Sequence, residues 1–265
     1  MPGRWAAVLA LLTLVGCGPL GPTPTATVLA HATGERDVLL RMSVGGGLPY
    51  PGLTIEQPPE FTLYGNGHLV RVVQHSSSDG TYSTELRHGQ ADAAAVDALL
   101  RMALNEGGLA TAADFYENDQ IYDAGTTTFT INAGGVLKTV HVYALGFMDD
   151  LTPNSRERAG FRALVERIDA TGTGATDLGT FVPTAYLVSL VEPYAAQPAN
   201  ALWPWPELVP ADFHLGDSGI RTRIVTASQG EAVLNLGITH DLVARAPDGQ
   251  LYLIRIRVLL PDEIH

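Results

Sequence analysis

Cys17 is the only cysteine among the 265 residues, and its setting is chemically the most specific in the chain. It follows Leu14, Val15 and Gly16, a branched residue and then smaller ones that let a backbone enter a peptidase cleft. A thiol at that point can take a thioether-linked diacylglycerol, which no other side chain there could do. A lone cysteine also excludes intrachain disulfides and any metal site built on several thiolates. Two further groups could do chemistry. Trp203-Pro204-Trp205-Pro206 sets two large aromatics among rigid prolines, so Trp203 and Trp205 could line a sugar or peptide groove, or could plug two domains together. Gly216-Asp217-Ser218-Gly219 offers a serine hydroxyl, although all four are ordinary turn residues. The eight histidines show no short metal-ligand spacing, so a metal would need distant partners such as His75 with Asp79. The pattern calls for no cofactor.

The residues ahead of Cys17 supply an address. Met1 to Arg4 carry one positive charge, and Trp5 to Val15 are eleven residues with Thr13 as the one polar member. That length suits a signal-peptide core and falls well short of the roughly 20 residues a bilayer-spanning helix requires. Leu14-Val15-Gly16-Cys17 resembles the lipobox of bacterial lipoproteins. The resemblance implies removal of residues 1–16, lipid on Cys17, and an extracytoplasmic protein held to the cell membrane by several acyl chains. Residues 17–36, rich in Pro, Gly, Thr and Ala, read as the lipidated cysteine and a flexible tether.

Loss of the leader would leave 249 residues with 15 basic and 28 acidic side chains. That length supports one large domain or two small ones. The acidic balance excludes nucleic acid as a partner and argues against electrostatic adsorption to anionic lipid.

Elements that could position a site follow from periodicity. Over residues 37–172, Val38, Leu40, Met42 and Val44 share one face of a strand, with Arg41 and Ser43 on the other. Gly65-Asn66-Gly67 between apolar runs predicts a hairpin, and Asn132 to Gly135 predicts a second. Phe129 and Ile131 alternate with Thr128 and Thr130, and His141 points opposite to Val140 and Val142, toward a surface or an interface. Val96, Leu99, Leu100, Ala103 and Leu104 form a helical stripe behind an Asp92 cap. A second helix opens at Thr152-Pro153 with Phe161, Leu164, Val165 and Ile168 on its apolar side, and Asp149 and Asp150 suit its N-terminal dipole. The fold class expected is α+β: an antiparallel sheet with two amphipathic helices on one face, followed by a smaller α+β unit over 181–265. That unit should hold three or four strands. In its last, Leu251, Leu253, Arg255 and Arg257 face one way and Tyr252, Ile254, Ile256 and Val258 the other.

Phe61 to Val70, Asp123 to Gly135, Thr139 to Gly146 and the closing Leu259 to Glu263 resemble an uncharacterised family of high-GC bacterial exported lipoproteins. Residues 37–172 more distantly resemble small exported domains of unknown function. The resemblance implies fold and address and brings no catalytic residue. A cysteine common after an arginine in the family's last domain is replaced here by Thr222. The Gly216–Gly219 run resembles the nucleophile segment of trypsin-like serine proteases, but Ile220 stands where a further glycine belongs, and no histidine and aspartate context accompanies it. The function expected is therefore that of a non-enzymatic binding or scaffolding protein of the cell envelope, meeting an envelope protein or glycan. The alternative is a cell-surface hydrolase with a site assembled from distant residues.

Overall fold

The computed structural model describes residues 28–47, 57–76, 82–193, 198–236 and 242–264; Cys17, the leader, Asp79, His240 and His265 lie outside them. The described chain is mixed α and β, mostly strand, with two sheets and three α-helices.

The first sheet has eight strands: β1 (Val38–Gly46), β2 (Phe61–Tyr64), β3 (His68–Ser76), β4 (Tyr82–Gln90), β5 (Phe115–Tyr116), β6 (Gly125–Ala133), β7 (Val136–Tyr143) and β8 (Thr176–Thr180). Their order is β5-β7-β6-β1-β2-β3-β4-β8. Every pairing is antiparallel except β5 with β7, which is parallel. Both expected hairpins form. Gly134 and Gly135 adopt φ of 60° and 77°, the left-handed pair a two-residue hairpin loop requires. Two features escape the local pattern. β8 carries the first unit past residue 172, because its backbone completes the open edge of β4. A register shift between Val38 and Leu40 turns Val38 away from Leu40 and Met42, so Leu39 and Leu40 both enter the main core and Val38 packs elsewhere.

Helix α1 (Ala93–Leu104) is capped as expected, the Asp92 carboxylate accepting the Ala95 N–H at 2.7 Å. Helix α2 (Ser155–Gly174) begins later than Thr152-Pro153, because Asp149–Leu151 form a separate 3₁₀ turn closed by the Thr152 N–H on the Asp149 carbonyl. Leu99, Leu100, Phe161 and Leu164 join Leu40, Leu63, Phe129 and Val140 in one core. Asp149 is not a solvated helix-dipole residue. It is buried, with its Oδ1 accepting from Arg158 Nη1 at 2.9 Å and its Oδ2 3.4 Å from Arg162. Arg158, also fully buried, donates to the Tyr116, Glu117 and Tyr143 carbonyls and so ties the ends of β5 and β7 to the Asp149 turn.

The described part of the expected tether is not free chain. Leu29 packs on the first core, its N–H donates to Asp97 at 2.6 Å, and the Ala30 carbonyl accepts from Gly134. An apolar side chain beside a hairpin gains more by docking than by staying solvated.

The second sheet has six strands rather than three or four: β9 (Ala185–Val191), β10 (Ala201–Leu202), β11 (His214–Leu215), β12 (Arg221–Thr226), β13 (Leu242–Arg245) and β14 (Leu251–Val258), in the order β10-β13-β14-β9-β12-β11. The sequence predicts no strand at β13, and β10 and β11 are two residues each, too short to leave a periodic trace. Helix α3 (Ala227–Leu234) starts from a Thr226 and Gln229 capping box. The second core gathers Tyr186, Val188, Trp205, Phe213, Val225 and Ile254. Leu260 lies outside that core and packs on Tyr64 and Val70 of the first sheet, so the C-terminal segment joins the two units.

Candidate functional site

The first sheet has outward polar side chains as well as those that enter its core. Because side chains alternate along a strand, Phe129, Ile131, Val140 and Val142 enter the core while Thr128, Thr130, Thr139 and His141 face away. Cross-strand register arranges these outward groups in rows. Ser43 stands opposite Thr128, Thr128 opposite His141, and His141 opposite Phe115. One row thus crosses β1, β6, β7 and β5, about 14 Å at the usual strand spacing. The adjacent row runs from Thr62 through Arg41 and Thr130 to Thr139.

The second sheet stands over part of this surface. Leu187 of β9 and Arg257 of β14, opposite one another in register, line a cleft of about 720 Å³ together with Arg41, Ser43, Thr128 and His141. A volume of that size falls within the span usual for small-ligand sites. At one end the C-terminal turn Pro261–Glu263 enters. The Asp262 carboxylate accepts from Arg41 Nη2 at 2.7 and 2.9 Å and from the Tyr64 hydroxyl at 2.8 Å. Glu263 accepts from Arg257 Nη1 at 2.9 and 3.0 Å. Burial, and then the carboxylate it serves, push the Tyr64 hydroxyl far above its ordinary pKa, so it remains a donor at any physiological pH. At the other end Phe115 is half-exposed, its ring centroid 6.1 Å from that of His141.

In the middle, His141 Nδ1 and Thr128 Oγ1 lie 3.1 Å apart, and His141 Nε2 has no protein partner among the described residues. A hydroxyl hydrogen-bonded to an imidazole can donate, accept or pass a proton. A second cleft of about 590 Å³ adjoins the first through Gln57 and Arg257. Its Glu60 carboxyl is pushed up by burial and by Asp169 nearby.

The groups singled out from sequence are dispersed. Trp205 is buried in the second core, its indole N–H donating to the Gln229 carbonyl at 2.8 Å. Trp203 stands edge-on to it, half-buried, and donates to the Leu208 carbonyl at 2.8 Å. Both pack within the second unit rather than between the units. Ser218 lies in the exposed β11–β12 turn, where the Gly216 N–H meets the Ile220 carbonyl and Gly219 has φ of 77°. His75 pairs with Glu85 at 3.0 Å, and His68 with His88 at 3.2 Å. Burial, and then His88, hold the His68 pKa below its ordinary value. Among the described residues no three His, Cys, Asp or Glu side chains gather as a metal ion needs. Nothing in the sequence marks Phe115, Asp262 and Glu263 as site residues. The outward alternation of Ser43, Thr128 and His141 was the signal available.

Among the described residues no helix is long and apolar enough to cross a membrane. No protein-family model, curated protein or solved structure matches the chain.

Proposed function

We propose that this protein is a lipid-anchored, non-enzymatic binding protein of the cell envelope, and that the cleft between its two sheets holds the ligand. The observation that carries the reading is the row from Ser43 through Thr128 and His141 to Phe115, which lines a cleft of about 720 Å³ with hydroxyls, an imidazole and one exposed ring. Such mixed lining suits reversible recognition, in which a few placed polar groups orient a ligand against apolar walls. The two amphipathic helices lie together on the opposite face of the first sheet and stiffen this floor from behind. The shared core of Leu100, Phe161, Phe129 and Val140 supports that arrangement. Cys17 carries the lipid and the family kinship is with exported lipoproteins, as the leader and the quoted motifs suggest.

A hydrolase is the second reading. It rests on the Thr128–His141 hydrogen bond, the one arrangement in the cleft from which nucleophilic chemistry could start.

Photo-crosslinking in intact native cells tests the proposal. A benzophenone amino acid at Thr128 is expected to trap an envelope component, whereas the same probe at exposed Asp217 traps none. Equal trapping from both positions, or from Asp217 alone, overturns the cleft as the site. In the same cells Cys17→Ala is expected to abolish acyl labelling and membrane retention; retention unchanged removes the anchor.

A further inference from the structure

We infer that the ligand is a short, uncharged oligosaccharide lying across β1, β6, β7 and β5, an inference that rests on the cleft being the binding site. Three observations point to it.

The first is the hydrogen-bonding character of the lining. Sugar hydroxyls both donate and accept, and so do the side chains of Ser43, Thr126, Thr128 and Gln57. Donors are also in surplus. Arg41 spends Nε on Thr62 and Nη2 on Asp262, which leaves Nη1 without a protein acceptor among the described residues. Arg257 spends Nη1 on Glu263 and leaves Nε and Nη2.

The second is charge. Each arginine in the cleft is already matched by a carboxylate, Arg41 by Asp262 and Arg257 by Glu263. The site therefore presents N–H groups with almost no net positive charge. The chain as a whole carries −12, which repels an acidic polymer.

The third is shape. Most of the floor is the face of a sheet whose backbone groups are consumed by β1–β6 and β6–β7 pairing, so a ligand lying across it meets side chains rather than a strand edge, and the short edge strand β5 lies only at the far end. Phe115 closes the far end, 48% exposed, and offers a flat apolar surface to the C–H face of a sugar ring. A row of about 14 Å has length for a few sugar residues rather than for one.

Calorimetric titration of the full chain, purified in detergent, tests this with three defined probes: tri-N-acetylglucosamine, maltotriose and trigalacturonate. At least one neutral trimer is expected to bind at least tenfold more tightly than the acidic one. Thr128→Val, which keeps the side-chain shape, and Phe115→Ala should each weaken binding by about threefold to tenfold, the worth of one hydrogen bond or one ring contact. Asp217→Asn, in the exposed turn, should leave it unchanged, and circular dichroism checks that each variant is folded. Tighter binding of trigalacturonate that is still weakened by Thr128→Val overturns the uncharged class and leaves the cleft as the site. Saccharide binding indifferent to both variants overturns the cleft itself. Failure of all three sugars, with a photo-adduct still formed at Thr128, overturns the saccharide inference alone.

Discussion

Arg158 and Asp149 show how much one buried pair can decide. Both side chains are wholly withdrawn from solvent, and their 2.9 Å contact is supplemented by three backbone carbonyls on Arg158 and the Gly146 N–H on Asp149. The loops they tie hold Asp123, Ala144 and Met148 with φ between 51° and 60°, a region that non-glycine residues adopt only when surroundings insist. Removing one partner leaves an uncompensated buried charge. Asp149→Ala should therefore lower unfolding stability by about 3–5 kcal/mol in urea titration, far more than a partly solvated pair such as Arg101 with Asp97 contributes. A loss under 1 kcal/mol would mean that the carbonyls alone suffice for the guanidinium. At this scale the sequence is least informative. Asp149 and Arg158 are nine positions apart, and nothing in either local pattern separates a buried pair from two solvated charges.

Helices and strands were more legible. The α1 stripe and its Asp92 cap, the hairpins at residues 65–67 and 132–135, and the two faces of β14 all rest on contacts within a few residues, which periodicity reports directly. The elements missed include those whose existence depends on distant partners: β8, which needs the edge of β4, β5, which needs β7 in parallel, and β10, which needs β13 in parallel. Packing between elements can also be decided by one absent atom. A Cβ on Gly230 of α3 would stand 2.1 Å from the Tyr186 ring of β9. Gly230→Ala would gain about 1 kcal/mol of helix propensity, yet it forces the helix off the sheet. The overpacking cost of about 1–3 kcal/mol should prevail, giving a lower melting temperature in calorimetry. A higher melting temperature would show that α3 can shift outward without loss.

For the whole molecule, the decisive contacts are those of the last few residues. Leu260 packs on Tyr64 and Val70, and Asp262 and Glu263 each bring both carboxylate oxygens to one arginine nitrogen, Arg41 Nη2 in the first sheet and Arg257 Nη1 in the second. Hydrogen bonds to charged groups contribute about 1.5–3 kcal/mol each where solvent is restricted, enough to hold two sheets in register over a cleft. The outward direction of Arg41, Ser43, Thr128 and His141 could be read from alternation alone. That a second sheet would cover them could not, because it is set by contacts between residues some 200 positions apart, such as Arg41 with Asp262. A ligand held in the cleft engages both sheets at once. Hydrogen–deuterium exchange of the full chain, with and without a saturating neutral oligosaccharide, measures this directly. Slowed exchange is expected at residues 40–45, 126–130 and 139–142 of the first sheet together with 255–263 of the second unit. Protection confined to residues 201–206, or to one sheet alone, would contradict it.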